Sequence, residues 1–331
     1  MPRAAALALI LCAALACVAA GCGSSSTSAE EEPAPGSLEA LWRAPGEDVA
    51  YVPGTADFGP GRVRVSFLVV DGKGRVVTSP TARVWVARAL EARPFAETVA
   101  RAEPIGVDGD HDADAGEIFV AHLELEEPGK YWVLAEPVGA DRRIQAIGNV
   151  VVEEKPQAPA VGDRAVRSDT PTLRSANGDL ARLTTAKPPD RELLQSSIRE
   201  ALDAGAPFVV TFATPLYCQT RTCGPVVDVV DAVRKRHEGS GIRFIHVEIH
   251  EGLDPAKGVN RWVKEWNLPS EPFTFVVGAD GLIKERFEGT FSVRELDAAV
   301  RSTRSRRPRR ATRVTSNARR ARPPVPAPSG V

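Results

Sequence analysis

Cys218 and Cys223 close an apolar run, Pro207-Phe-Val-Val-Thr-Phe-Ala-Thr214, and the chain's other cysteines all fall within its first 22 residues. The order from the run is Pro215-Leu-Tyr-Cys218, four polar residues Gln-Thr-Arg-Thr, then Cys223-Gly-Pro225. An apolar strand, a short loop holding two thiols and a helix opening make the layout of a thiol–disulfide site. The free N–H groups and positive dipole end of a helix favour a thiolate. On that argument Cys223, at the Gly-Pro step, is expected to be the lower-pKa thiol. Arg221 is expected to add positive potential, and the polar loop to be open to solvent.

The N-terminus bounds the compartment. Arg3 precedes an Ala/Leu-rich stretch from Ala4 to Ala20, and Ala19-Ala-Gly-Cys22 resembles the lipobox of bacterial lipoproteins, with Ala14-Leu-Ala-Cys17 a weaker match. The resemblance implies a signal peptide over 1–21, cleavage before Cys22, a lipid on its thiol and a cell-membrane anchor on the extracytoplasmic face. An ordinary secretory signal is the alternative. No other stretch approaches the roughly 18 apolar residues of a membrane span. After such processing Cys218 and Cys223 are the only other cysteines. An even pair in an oxidising compartment is expected to be bridged or redox-active.

Charge is unevenly spread. Residues 301–331 hold ten Arg and no Asp or Glu, which leaves the first 300 at a net −11, 32 basic against 43 acidic residues. The basic tail, over 304–331 and rich in Pro, Ser and Ala, is expected to be disordered and to solubilise the chain or meet an anionic surface. Export excludes nucleic acid as a partner.

Residues 22–37 read as a Ser/Glu/Pro tether. From 38 to 155 short strands recur: Arg62–Asp71, Ala82–Arg88, Glu117–Leu125, Gly129–Ala135 and Asn149–Glu153, with Gly and Pro turns between them. That spacing predicts an all-β, immunoglobulin-like sandwich, on pattern alone because the two cysteines such domains sometimes bridge are absent. Trp85 and Trp132 are expected in its core. Asp108 to Glu117 alternates acids in a calcium-loop manner, but Ala113 and Phe119 break the EF-hand pattern, so it reads as a solvated loop.

A linker spans 156–168, and 169–303 then alternates helix and strand. The expectations are a hairpin over Leu173–Leu183 around Asn177-Gly178, a helix over Asp190–Ala204, a strand over Phe208–Ala213 and a helix from Pro225 to His237. A strand over Ile242–Ile249, a helix over Lys257–Trp266, a hairpin of Phe273–Val277 with Leu282–Phe287, and a helix over Val293–Ser302 complete a mixed sheet with helices on both faces.

These roughly 135 residues resemble the thioredoxin-like superfamily, especially its exported, membrane-tethered TlpA-like branch. Three segments carry the resemblance: Phe208 to His237 with its cysteines, Leu268-Pro-Ser-Glu-Pro272-Phe-Thr-Phe275, and the hairpin and helix that follow. The family implies a cis-proline beside the cysteines; Pro272 is the candidate and Pro269 its competitor. It implies catalytic roles for Cys218, Cys223 and Pro272, no cofactor or metal, and exchange with thiols or disulfides of envelope proteins. Two departures stand out. Four residues, not two, separate the cysteines, so either Cys223 matches the family's first cysteine, with Val226 replacing its second, or Cys218 does, in a longer loop. The strand Phe208–Phe212 has no carboxylate; Val210 stands about where the family keeps a buried acid that assists proton transfer. Two rival readings remain: a non-catalytic binding module whose disulfide is a staple, and a Sco-type copper chaperone with His250 near the cysteines.

Overall fold

The computed structural model describes residues 32–107, 115–139, 143–218 and 223–305. The signal segment with Cys22, most of the tether, the acidic loop 108–114, Arg221 within 219–222 and the tail from 306 lie outside the described residues. Among the described residues no helix is long and apolar enough to cross a membrane.

Seven strands build the N-terminal unit: β1 (Val49–Pro53), β2 (Gly61–Asp71), β3 (Thr81–Ala87), β4 (Ala96–Pro104), β5 (Glu117–Leu125), β6 (Gly129–Pro137) and β7 (Ala146–Val152). They pair antiparallel in the order β1-β2-β5-β4-β3-β6-β7. The ladder is continuous, through the β3–β4 hairpin, where the sequence pattern predicts two separate sheets. The sheet curls until its ends meet, with bridges from Glu47 to Ile144 and from Phe58 to Val152. Gly148 allows the closure: a Cβ there would lie 2.2 Å from Tyr51 Cδ1. Alternation puts Val63, Val65, Phe67 and Val69 of β2 inside, against Phe119, Leu123, Tyr131 and Val84.

Trp85 is buried as expected, and half-buried Trp132 packs with it, but in a smaller cluster of its own. Trp85 and Trp132 sit outside the main core, under a short helix α1 (Leu38–Trp42) that starts where the reading begins an all-β unit. Ser37 caps α1, accepting the Ala40 N–H at 3.1 Å.

The C-terminal unit is built on β8 (Phe208–Phe212), β9 (Arg243–Val247), β10 (Phe273–Val277) and β11 (Ile283–Glu288), in the order β11-β10-β8-β9. β8 and β9 run parallel; the other two pairings are antiparallel. β8 and β10 are buried along their whole length, as central strands covered on both faces must be. On one face lie α3 (Cys223–Arg236) and α5 (Val293–Ser305), packing Val226, Val230, Val233 and Leu296 on Val209 and Val276. On the other lie α2 (Ile198–Asp203) and α4 (Arg261–Glu265), with Ile198, Val263 and the fully buried Trp266 on Phe212 and Phe275.

Several local expectations are corrected by hydrogen bonding. Residues 173–183 form successive turns, not a hairpin. Asn177 and Gly178 do take left-handed φ (54° and 80°), but the side chains of Thr172, Ser175 and Asp179 take up the backbone groups a ladder would use. The helix expected from Asp190 splits: Asp190 accepts the Glu192 N–H at 2.8 Å ahead of only a 3₁₀ turn at Glu192–Leu194, and a Ser197–Glu200 capping box restarts the chain as α2. Gly258 (φ 75°) and the Asn260 cap shorten α4 to begin at Arg261. α3 begins two residues before Pro225, which falls in the first turn where its missing N–H is harmless. α5 runs to Ser305, past the expected end.

The presumed linker is not free. Gly162 and Ala165 donate to Ile283 O and Gly281 O, and Asp163 O accepts from Ile283 N–H, so this stretch lies along β11. Polar contacts then clamp the two units: Arg64 to Glu295 (2.7 Å), Arg286 to Asp57 (2.5 Å), and Glu288 accepting the Ala56 and Asp57 N–H groups at 2.8 Å. Glu103 on β4 pairs with Arg294 and accepts the Ser292 hydroxyl at 2.6 Å. Gly289 (φ 70°) lies where a Cβ would meet Gly54 O at 2.6 Å, so the chains touch there backbone to backbone.

Candidate thiol site

β8 delivers the chain through Ala213 and Thr214 into a turn closed by Tyr217 N–H to Thr214 O (3.3 Å), and Cys218 follows. Cys223 is the first residue of α3. The two thiols are unbridged and belong to one apolar cluster, yet their exposure differs: Cys223 is fully buried and Cys218 half-buried. Cys223 lies within hydrogen-bonding reach of Cys218, and its sulfur stands 3.7 Å from Glu271 Oε2.

This corrects the expected ranking of the thiols. The hydrogen bond with Cys218, burial, and the negative charge of Cys218 and Glu271 together push the Cys223 thiol far up, and the Thr214 N–H opposes them only weakly. Burial separates the two: Cys218 is the half-exposed thiol and Cys223 the fully buried one.

Glu271 is the site residue that sequence reasoning missed. Phe273 pairs with Phe212 in the β10–β8 register, so Glu271 falls alongside the chain leaving β8. Burial first, then the charges of Cys218 and Glu248, push its carboxyl up to about 7, against the bonds from Cys223 and the Thr214 N–H. β8 carries no carboxylate, but this carboxyl, from the segment leading into β10, stands beside the thiols; Val210 packs on the opposite, α2/α4 face. The available signal was the acid immediately before Pro272. The Glu271–Pro272 peptide is cis and the bond before Pro269 is not; Pro272 O accepts the Gly289 N–H at 2.9 Å.

A groove of about 960 Å³ runs beside Cys218, lined by Lys187, Arg191, Leu216, Pro225 and Asp228 among others. Its wall is pinned from below. Buried Glu248 accepts both the Thr185 N–H (2.5 Å) and the Thr185 hydroxyl (2.8 Å), and Thr185 Oγ1 accepts the Leu216 N–H. A second cavity of about 420 Å³ lies between the two units, where Leu68, Ile105 and Ile118 face Glu271 and Pro272. Val107 of the N-terminal unit packs against the cluster that holds both cysteines.

Of the two histidines on and after β9, His246 is hydrogen-bonded through both ring nitrogens, whereas the buried Nδ1 of His250 has no hydrogen-bond partner among the described residues. His246 meets Ala213 O through Nε2 (3.0 Å) and Thr184 Oγ1 through Nδ1 (3.4 Å). His250 meets the Tyr217 ring edge-on at 6.4 Å. Among the described residues no group of three or more His, Cys, Asp or Glu is arranged to hold a metal ion.

No family model and no curated protein sequence matches this chain. Among solved structures it is similar to a thiol:disulfide interchange protein of the thioredoxin family from Chlorobium tepidum, at 16% identity over 44% of this chain and 99% of that one, with a TM-score of 0.31. It is also similar to an engineered protein, at 14% identity over 32% of this chain and 20% of that one, with a TM-score of 0.21. A third similarity is to the PKD domain of the human VPS10 domain-containing receptor SorCS2, at 21% identity over 33% of this chain and 73% of that one, with a TM-score of 0.17.

Proposed function

We propose that this chain is a membrane-anchored, extracytoplasmic thiol–disulfide oxidoreductase, lipidated at Cys22, that acts on envelope proteins through Cys218 and Cys223. One observation carries the reading: a reachable thiol, Cys218, lies beside a fully buried one, Cys223, that has a carboxyl oxygen 3.7 Å from its sulfur. A loop staple needs no such asymmetry and no acid. The sheet order β11-β10-β8-β9, with the thiols between β8 and α3 and Pro272 just before β10, supports a thioredoxin-like C-terminal unit. The order β1-β2-β5-β4 continued by β3-β6-β7 supports an immunoglobulin-like unit before it.

The accessible Cys218 attacks a partner disulfide as thiolate and forms a mixed disulfide. Cys223 then attacks Cys218, and the partner leaves reduced. These roles reverse those expected from the helix position of Cys223.

Equilibrating the purified protein with glutathione buffers tests this reading. A catalytic couple equilibrates with the glutathione pool, whereas a structural bridge has a potential below about −300 mV and stays oxidised. The latter result would leave the pair as a staple in a binding module.

A further inference from the structure

We infer that the groove beside Cys218 binds an acidic segment of the partner polypeptide next to its target cysteine, an inference that rests on the thiol–disulfide reading above. The groove, of about 960 Å³, has Cys218 in its lining, so a chain lying in it lies beside the half-buried thiol. Exposed Leu216, on the turn leading to Cys218, adds apolar contact to the same groove.

The charges of the lining are unevenly satisfied. On α3, Asp231 is held by Arg234 at 2.7 Å and by Lys235 at 2.6 Å, and Asp228 is also engaged. Asp190 stands 3.7 Å from Arg234; burial, then a hydrogen bond with Asp231, push its carboxyl up and weaken its negative charge. Lys187 and Arg191 line the groove from the stretch 185–191, are exposed and, among the described residues, pair with no acid. That leaves two cations for a ligand to neutralise.

The backbone that carries them is already fixed. Glu248 accepts the Thr185 N–H and hydroxyl, and Asp190 accepts the Glu192 N–H, so an anion that meets Lys187 and Arg191 orders little further chain. Gly224 and Pro225, in the first turn of α3, put the positive end of that helix in the same lining. Neither Glu248 nor Glu271 lines the groove. The body as a whole is acidic and repels an acidic partner at long range. In about 0.1 M salt, charges beyond roughly 10 Å are screened, and the two cations near the thiol outweigh distant acids.

The test uses reduced full chain and two peptides, each with one cysteine as a mixed disulfide with thiopyridine, flanked by Glu residues in one and by Lys residues in the other. The Cys218 thiolate bonds to the peptide sulfur, the peptide–thiopyridine bond breaks, and its electron pair leaves on thiopyridone, whose absorbance reports the step. The phase missing from Cys218→Ser is the one read, relative to the same peptide's reaction with mercaptoethanol. In about 0.1 M salt the Glu peptide should react about 10-fold faster than the Lys peptide, and in about 1 M salt the preference should collapse. Lys187→Glu with Arg191→Glu should reverse the order, and Lys187→Arg with Arg191→Lys, which keeps both charges, should keep it. A wild type that reacts with neutral dithiodipyridine but treats the peptides alike, or favours the Lys peptide, overturns this inference and leaves thiol exchange standing. A Glu preference that survives the double charge reversal overturns it too. A Cys218 that does not react with dithiodipyridine overturns the thiol-exchange reading with it.

Discussion

Arg64 on β2 and Glu295 in the first turn of α5 form an ion pair across the two units, Nε to Oε1 2.7 Å, with side chains only 7% and 9% exposed. Arg64 also donates to Thr290 O at 2.9 Å, and Glu295 accepts the Ser292 N–H at 3.1 Å. Truncating one partner of such a pair strands the other as a buried charge, so Arg64→Ala should lower unfolding stability by about 3–5 kcal/mol in urea titrations. Replacing both with apolar residues, Arg64→Met with Glu295→Leu, should recover most of the loss. Burial works to raise the Glu295 carboxyl, but Arg64 and the hydrogen bonds win and hold it below the usual range. A depressed folded value means stability that is present above the ordinary carboxylate range and is lost as pH falls through the folded value. Arg64→Ala should remove that part of the acid dependence.

Glu271 has the opposite sign. Its folded value is raised from 4.5 to about 7, so the contribution is fully present below 4.5 and is lost as pH rises through 7. At pH 8 the protein holds an ionised, half-buried carboxylate that Glu271→Gln removes. Thermal midpoints should therefore be nearly equal for wild type and variant at pH 4 and higher for the variant at pH 8. A variant less stable at both pH values would contradict the electrostatics assigned to this residue.

Gly148 is predicted to be intolerant of any side chain. A Cβ there would lie 2.2 Å from Tyr51 Cδ1 and 2.6 Å from its Cγ, on a ring packed against Phe67 at 4.8 Å. Gly148→Ala must push β7 off β1, with a cost of about 1–3 kcal/mol. Denaturant midpoints check this, and an unchanged midpoint would show that the Tyr51 ring moves freely.

Strand periodicity made much of the fold legible before any coordinates. The Arg62–Asp71 alternation became β2, the apolar Phe208–Phe212 run became β8, and Gly278 and Gly281 marked the turn between β10 and β11. Reading failed where short-range side-chain bonding outcompeted the ladder, as at Thr172, Ser175 and Asp179, and where a cap reset a helix, as at Ser197. At the site the cysteines themselves were legible, but their ranking was not. Helix position is local, whereas the burial of Cys223 and its contact with Glu271, 48 residues away, exist only once β10 lies beside β8.

Trapping with single-cysteine variants tests the central claim most directly. If Cys218 is the attacking thiol and Cys223 the resolving one, Cys223→Ser should accumulate mixed disulfides with envelope proteins, seen as reductant-sensitive adducts on non-reducing gels, and Cys218→Ser should not. Adducts on Cys218→Ser but not on Cys223→Ser would contradict the assigned roles. Adducts on neither would contradict thiol exchange as the function of the pair.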